Sequence, residues 1–436
     1  MLAPLLSFAL PLILSGMLQL LYNAADVVIV GQFSGKESLA AVGSTGHLTN
    51  LLTNAFLGLS VGSNVLISKA FGLNDKEKLS RAVHTAILLS LIGGVIIGII
   101  GILFSAPLLS VMGTPDDVIG KASLYMKIYF AGLPAVALYN FGSAILRAVG
   151  DTKRPLYFLT ISGIINVVLN LIFVIVFKMD VAGVALATII SQIFSGLMII
   201  ICLKNTTEGY KLFLRKLRIY KSEMLQILRV GLPAGIQGSL FSLSNVLIQS
   251  TVNTFGSAAV AGNSAASSIE NFVYIAMNAI HHASLTFTAQ NFGVSNFERI
   301  KKGFYYCLAL VSIIGLVMGL SVSSMGKYLV NIYSSDPEVI SIGVLKLSIV
   351  CSGYLLCGIM EVHTGTLRGM GYSILPMILT LVGSCALRII WIFTIYKLNP
   401  TLAMLYVVYP ISWFCTIIAL FIAYKYAIKH YTNKLM

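Results

Sequence analysis

The first hydrophobic segment of the chain carries a carboxyl group at the end of a polar stripe. The stripe consists of Gln19, Tyr22, Asn23 and Asp26. Its spacing of i, i+3, i+4 and i+7 places the side chains on one face of a helix. A carboxylate in hydrocarbon is costly, because lipid offers it no partner. We therefore predict that this face points at a cavity or at other polar groups, and that Asp26 binds an ion.

Two later segments supply oxygen atoms at the same depth. Asn166 and Asn170, four residues apart, share one side of the fifth segment, and Thr188 lies in the sixth. Asp26, Asn170 and Thr188 are each about seven residues, roughly 10 Å, from the outer end of their segment, and Asn166 is one turn deeper. These oxygens suit Na⁺ as a metal ligand set. They equally suit a proton, since the amides can hydrogen-bond a neutral carboxyl group.

Charged side chains also interrupt the segments of the second half. Glu361 shares a helical face with Tyr354, and Arg388 lies in the middle of the next segment. An ion pair between Glu361 and Arg388 and a substrate-facing Glu361 are equal alternatives. A polar stripe through Asn245 on the seventh segment is a candidate cavity lining. The predicted substrate-binding residues are Gln19, Tyr22, Asn23, Asn245, Tyr354 and Glu361.

Other polar groups receive simpler interpretations. His281 and His282 lack the spacing of metal ligands, so we interpret them as packing residues. Glu270 falls near the start of a segment. The run from Gly31 to Glu37 resembles a phosphate loop but has no Ser or Thr after Lys36. Neither HExxH nor GxSxG occurs. We therefore expect no enzyme and no cofactor, with an ion gradient as the energy source.

The elements that must position these residues are transmembrane helices. Of 436 residues, 57% are hydrophobic and 10% charged, with a mean hydropathy of +0.91. The core of a soluble protein cannot bury this much apolar surface. A span takes about 20 apolar residues. We predict an all-α integral membrane protein with twelve helices. They are placed at about 5–33, 48–70, 82–108, 124–148, 155–177, 181–203, 226–254, 268–290, 302–325, 344–368, 376–397 and 401–427.

The distribution of the 29 Lys and Arg residues predicts the orientation. Most fall on one side of the predicted membrane, which places both termini in the cytoplasm of a multi-pass inner-membrane protein. Anionic lipid headgroups on that side account for the net charge of +14. No exposed basic domain is present for nucleic acid, since the longest polar segment runs only from about 204 to 225.

The two halves of the sequence match at an offset of about 221 residues. Phe71-Gly72 aligns with Phe292-Gly293, and Leu146-Arg147 with Leu367-Arg368. Six helices per copy give a parallel pseudo-twofold repeat, an arrangement typical of secondary transporters with the substrate path between the halves. The predicted domains are residues 1–203, a basic linker at 204–225, and 226–436. The ion cluster is not repeated, because Ile248, Leu387 and Trp391 stand opposite Asp26, Asn166 and Asn170.

These residues resemble a known family. The stretch from Leu10-Pro11 through Gln19 and Tyr22–Asp26 to Ala40–Gly43 resembles the opening of a multidrug and toxic compound extrusion (MATE) transporter. The segment Leu146–Thr152, its echo Leu367–Gly371, and the run from Gly183 to Gln192 strengthen the resemblance, which covers essentially the whole chain.

The resemblance implies two six-helix lobes in a V, which open a central cavity alternately inward and outward. It implies export of cationic, amphipathic drugs driven by inward Na⁺ or H⁺. The family's amino-lobe acid falls on Asp26, and its partner positions fall on Asn166, Asn170 and Thr188. Some members carry an aspartate at the position of Asn170. Others place acids at the positions of Phe241 and Cys357, and the resemblance suggests Glu361, one turn from Cys357, as the substitute.

We therefore predict a cation-coupled multidrug antiporter that works by alternating access. Its expected partners are small-molecule drugs or organic cations and membrane lipids, and we expect a monomer. One alternative is a lipid-linked oligosaccharide flippase, which would need several basic residues in its cavity, whereas only Arg388 qualifies. The other is a membrane scaffold or receptor without transport, which leaves the unrepeated cluster around Asp26 unexplained.

Overall fold

The apolar runs form long helices in the computed structural model, which describes residues 1–111, 114 and 116–433. A helix satisfies its own backbone hydrogen bonds, and hydrocarbon offers no others. No strand occurs among these described residues. The all-α class predicted from composition is therefore confirmed.

Seven helices lie in the described part of the first half. They are α1 (Leu2–Phe33), α2 (Lys36–Gly72), α3 (Lys76–Val111), α4 (Asp116–Ala131), α5 (Leu133–Ala148), α6 (Lys153–Leu171) and α7 (Asp180–Asn205). A π-helical turn, Ile172–Val176, prolongs α6. The predicted segment 124–148 is a pair of helices bent by 48° around Gly132, where Pro134 lacks the amide hydrogen that would continue the helix.

Ten further helices lie in the second half up to residue 433. They are α8 (Lys221–Asn253), α9 (Ser257–Gly293), α10 (Phe297–Ser324), α11 (Gly326–Asn331), α12 (Pro337–Val350), α13 (Tyr354–Gly369), α14 (Ile374–Thr380), α15 (Leu387–Phe393), α16 (Ile395–Leu398) and α17 (Leu402–Asn433). A 3₁₀ turn, Cys351–Gly353, joins α12 to α13, and a π turn, Leu381–Ala386, joins α14 to α15. The predicted segments 344–368 and 376–397 are therefore broken helices.

Each of the twelve predicted segments falls on one of these helices or broken helices. Within the described ranges, nine helices are long and apolar enough to cross a membrane, or ten if the bent pair around Gly132 is one span. The helices α8 and α9, with 33 and 37 residues, are long enough but more polar. Several helices begin earlier than hydropathy predicts, and α9 begins at Ser257 rather than at residue 268. The sequence thus underestimates helices whose first turns are polar.

The chain folds into two compact units. We call Leu14–Gly235 the amino-terminal unit, and Met1–Ile13 together with Ile236–Met436 the carboxy-terminal unit. The helices α1 and α8 each change unit two residues after an internal proline, Pro11 or Pro233. The domain boundaries read from the sequence, at 203 and 226, stay a prediction.

In the amino-terminal unit, α2 and α8 cross with their backbones in contact. A Cβ atom added at Gly62 would lie 2.1 Å from the carbonyl oxygen of Ile227, and one at Gly58 would lie 2.1 Å from the amide nitrogen of Gly235. Small residues spaced by four allow such an approach. Close van der Waals packing stabilises helix contacts in a membrane, because lipid surroundings remove the hydrophobic driving force. The pattern Gly58-xxx-Gly62 therefore fixes this crossing.

In the carboxy-terminal unit, two glycines bring α13 against α9. A Cβ atom at Gly365 would lie 2.7 Å from the carbonyl oxygen of His281, and one at Gly369 would lie 2.7 Å from that of Leu285. Buried hydroxyl groups cross the same contact, where the side chains of Ser284 and Thr366 are 2.7 Å apart. This packing positions the acidic side chain of α13 described below.

Candidate functional site

Asp26 lies on α1 in contact with an amide group of α6. The Nδ2 atom of Asn170 donates a hydrogen bond to Oδ1 of Asp26. Asn170 is fully buried, whereas Asp26 is half-buried. The carboxyl group therefore lies at the edge of a polar interior, one oxygen held by an amide.

A tyrosine one turn earlier on α1 positions this contact. The side chain of Tyr22 packs on Gly163 of α6, where an added Cβ atom would lie 1.9 Å from the aromatic ring. The Tyr22 hydroxyl also donates to the backbone carbonyl of Thr160, 3.2 Å away. Because Gly163 leaves room for the ring, α1 approaches α6 closely enough for Asp26 to reach Asn170.

The hydrogen bonds continue from α6 to α7. Asn170 Nδ2 also donates to Asn166 Oδ1, 3.3 Å away, and Asn166 Nδ2 donates to Thr188 Oγ1, 3.4 Å away. Thr188 Oγ1 in turn donates to the carbonyl oxygen of Val184 at 3.0 Å. The structure thus brings all four predicted ion-site residues into one hydrogen-bonded row, which crosses three helices.

The row leaves capacity for a cation. The Oδ1 atom of Asn170 is buried and accepts no hydrogen bond within the described part of the chain. None of the ion pairs among the described residues includes Asp26, so its charge has no protein counter-ion there. A carboxylate with amide and hydroxyl oxygens fits Na⁺, and it fits a proton equally. No group of three His, Cys, Asp or Glu side chains in these ranges could hold a metal ion.

The predicted substrate-binding residues differ in exposure within their units. Gln19 and Asn23 are exposed on α1, and Asn245 is exposed on α8. Tyr354 is 6% exposed and packs against Trp413, with ring centroids 5.4 Å apart. The first three side chains are therefore available to a ligand, whereas the Tyr354 ring is covered. Their roles in binding stay predictions.

Glu361 has a different partner from the one considered from the sequence. Its Oε2 atom lies 2.8 Å from Nδ1 of His281. The sequence analysis interpreted His281 as a packing residue and did not predict this contact. Arg388 instead donates from Nε to Ser412 Oγ at 3.1 Å, and its guanidinium lies 4.3 Å from the Tyr409 ring centroid. No ion pair joins Glu361 to Arg388 in the described ranges. The close packing at Gly365 determines this, because it presents His281 to α13.

Glu270, a second acid of the carboxy-terminal unit, lies deeper in its helix than the sequence analysis predicted. Because α9 begins at Ser257, Glu270 lies inside the helix and is 8% exposed. Its Oε1 atom lies 3.5 Å from Nζ of Lys346, which is 3% exposed. The signal available was a lysine within the apolar run of residues 342–350, since a buried lysine requires an acidic or oxygen-rich partner.

Membrane-spanning helices, a sequence repeat and, among the described residues, an acidic group without a protein counter-ion are typical of a membrane transporter built from two related halves. The family model MatE matches residues 11–172 and 233–394. The chain belongs to the MatE family, as its resemblance predicted, and the expectation that it is not an enzyme is confirmed by that membership.

Known relatives agree with this assignment over most of the chain. The "Probable multidrug resistance protein YoeA" of Bacillus subtilis is 30% identical over 381 residues, which cover 86% of this chain and 82% of that protein. The "Multidrug export protein MepA" of Staphylococcus haemolyticus is 25% identical over 422 residues, 96% of this chain and 92% of that protein. A solved structure described as the outward-facing conformation of a multidrug resistance MATE family transporter has the same fold. Its TM-score is 0.92 at 23% identity, covering 99% of this chain and 96% of that one.

Proposed function

We propose that this transporter is a cation-coupled multidrug efflux antiporter, which exports cationic amphipathic compounds in exchange for Na⁺ or H⁺ by alternating access. It acts in the inner membrane with both termini in the cytoplasm. The names of its relatives, which are multidrug resistance or multidrug export proteins, support drug efflux. The observation that carries the coupling proposal is Asp26, a half-buried carboxyl group within a hydrogen-bonded row and without a protein counter-ion among the described residues.

The charge of Asp26 makes the site dependent on a cation. A buried carboxylate without a counter-ion pays a desolvation cost that a bound Na⁺ or a proton removes. The ion and the drug shift the transporter only if each has different affinity for its alternating states. Antiport therefore requires that the cation and the drug favour opposite states. At the ion site, the Oδ1 atom of Asn170 can serve as a further ligand of the cation.

Residues exposed on α1 and α8 are the proposed drug contacts. Gln19 and Asn23 offer polar groups next to the ion site, and Asn245 offers one on α8. Arg388, the residue that would have to bind the pyrophosphate of a lipid-linked sugar, is buried and held by Ser412 and Tyr409. Nothing at this arginine favours the flippase alternative.

Efflux from drug-loaded proteoliposomes tests the proposal when Na⁺ and pH gradients are imposed separately. We expect one of the two gradients to accelerate efflux of a cationic dye, and dissipation of that gradient by an ionophore to return efflux to the leak rate. Efflux that is equal with and without both gradients would refute cation coupling.

Glu361 is the proposed partner for the positive charge of the drug, and we expect Glu361→Gln to change charge selectivity. Loss of a charge-assisted hydrogen bond costs about 1.5–3 kcal/mol, so export of cationic substrates should fall roughly 10- to 100-fold. A neutral substrate should be exported as before. The measurement is the ratio of cationic to neutral efflux rates in the same vesicles.

His281 supplies the matched control, because it contacts the same carboxylate. His281→Leu removes a donor that competes with the drug cation for Glu361, so the KM for cationic substrates should fall rather than rise. A cationic-to-neutral ratio that stays the same in Glu361→Gln would show that this acid has a structural role only.

A further inference from the structure

The ammonium group of Lys346 lies in a cage of oxygen atoms inside the carboxy-terminal unit. Nζ donates to Ser267 Oγ at 2.6 Å and to the backbone carbonyl of Asn263 at 3.4 Å. Oε1 of Glu270 completes the cage at 3.5 Å. The donor set is one carboxylate, one hydroxyl and one backbone carbonyl, the ligands that small hard cations take in proteins.

The cage is buried and has spare acceptor capacity. Lys346 and Glu270 are 3% and 8% exposed. Oε1 of Glu270 forms the ion pair with Lys346 but accepts no hydrogen bond from the described residues, and the buried hydroxyl of Tyr406 has no hydrogen-bond partner among them. The Tyr406 ring centroid lies 5.9 Å from Nζ. The ammonium group therefore occupies a buried, oxygen-lined position that a free monovalent cation of similar charge could occupy.

A polar row connects the cage to the end of α8. Nδ2 of Asn263 donates to Oε1 of Gln249 at 2.6 Å, and Nε2 of Gln249 donates to Oδ1 of Asn253 at 2.9 Å. Asn253 is exposed in the last turn of α8. The row offers a small ion polar groups from the surface of the unit to the cage.

The sequence repeat shows that this cage belongs to the second half alone. At the offset of about 221 residues, Thr49 stands opposite Glu270 and Tyr125 opposite Lys346. The first half therefore has neither charge at these positions, whereas the second half lacks the cluster around Asp26. The oxygen sites around Asp26 and around Glu270 therefore lie at different positions of the repeat.

We propose that the Lys346 ammonium is a tethered cation, which fills a monovalent-cation site of the carboxy-terminal unit so that this unit takes up no exchangeable ion. Only its consequence for transport rests on the proposed function: the cycle exchanges its cation at Asp26 alone. Removal of the ammonium uncovers the site, and Na⁺ then binds between Glu270, Ser267 and the carbonyl of Asn263.

Binding of radioactive Na⁺ to the purified full-length chain tests this without any transport step. All variants carry Asp26→Asn, because this substitution removes the proposed exchangeable site and leaves only Na⁺ binding elsewhere to be measured. Adding Lys346→Met should give one further equivalent of bound Na⁺, and adding Glu270→Gln to that pair should remove it. Lys346→Arg, which keeps the charge, should bind no additional Na⁺.

Lys346→Gln covers the case in which the methionine variant does not fold, because the amide can still hydrogen-bond to Ser267. For either variant, the unfolding temperature should be higher in NaCl than in choline chloride, and Glu270→Gln should abolish that difference. The proposal is overturned if neither variant shows Na⁺ binding or a Na⁺-dependent shift that depends on Glu270. The Na⁺-binding assay contains no drug, so its result does not depend on drug transport. If drug export fails in proteoliposomes while Na⁺ binding behaves as expected, only the proposed function is refuted.

Discussion

Replacement of Asp26 by asparagine is expected to abolish ion-driven drug efflux while the protein still inserts in the membrane. The change removes the charge of the ion site and keeps nearly the same volume. For Na⁺, loss of the charged ligand costs about 1.5–3 kcal/mol, so the affinity should fall roughly 10- to 100-fold. For H⁺, the amide leaves no carboxylate to take up the proton. Efflux driven by the gradient should therefore fall to the leak rate, measured in drug-loaded proteoliposomes.

The matched control makes the same chemical change outside the site. Asp117 is an exposed acid on α4, and Asp117→Asn should leave gradient-driven efflux unchanged. Equal amounts of both variants in the membrane fraction exclude an effect on insertion. If Asp26→Asn exports drug at the normal rate under the same gradient, Asp26 does not couple transport to an ion.

Substitution of Gly62 by alanine is expected to destabilise the amino-terminal unit. The new methyl group would lie 2.1 Å from the carbonyl oxygen of Ile227 and 2.9 Å from the amide nitrogen of Gly231. Both are backbone atoms, so no side chain can move aside and the helices α2 and α8 must separate. Overpacking costs about 1–3 kcal/mol or more. We expect a lower unfolding temperature and a lower yield of monodisperse protein from detergent.

Gly43 gives a control on the same helix. Nothing lies within 4 Å of a Cβ atom at this position, and alanine favours a helix over glycine by up to about 1 kcal/mol. Gly43→Ala should therefore be neutral or slightly stabilising in the same melting experiment. Equal melting temperatures for the two variants would show that the crossing of α2 and α8 is looser than the structure has it.

The members of the proposed ion site were predictable because helical geometry determines which side chains share a face and a depth. Asp26 ends a stripe with a period of one turn, and Asn166 and Asn170 are stacked four residues apart. Their common depth followed from counting residues to the end of each segment. The hydrogen bond between Asn170 and Asp26 needed in addition the close approach of α1 and α6, for which Gly163 under Tyr22 was the unrecognised signal.

The polar pairs of the carboxy-terminal unit were not predictable in this way. Glu361 and His281 lie on helices that are far apart in sequence, and only the packing at Gly365 decides that they meet. Glu270 was misplaced because the first turns of α9 are rich in alanine, serine and asparagine, so hydropathy sets the helix start too late. Local periodicity determines which face is polar, but helix packing determines which faces meet.

The two halves share a chain pattern but not their charges. Asp26 has no protein counter-ion among the described residues, whereas Glu270 is paired with Lys346. A carboxylate paired within the protein keeps its charge balanced without an outside ion, because the partner offsets much of its desolvation cost. This difference is the physical reason to assign ion exchange to the amino-terminal unit.

Movement of the cation itself measures the coupling most directly. Vesicles containing the transporter receive an inward or outward gradient of a cationic drug, with no ion gradient imposed, and the flux of Na⁺ and H⁺ is followed. We predict that drug movement drives one of these ions in the opposite direction, and that Asp26→Asn abolishes this ion flux while Asp117→Asn does not. Drug movement with no opposing flux of either ion, or the same ion flux in Asp26→Asn, would contradict cation exchange at Asp26.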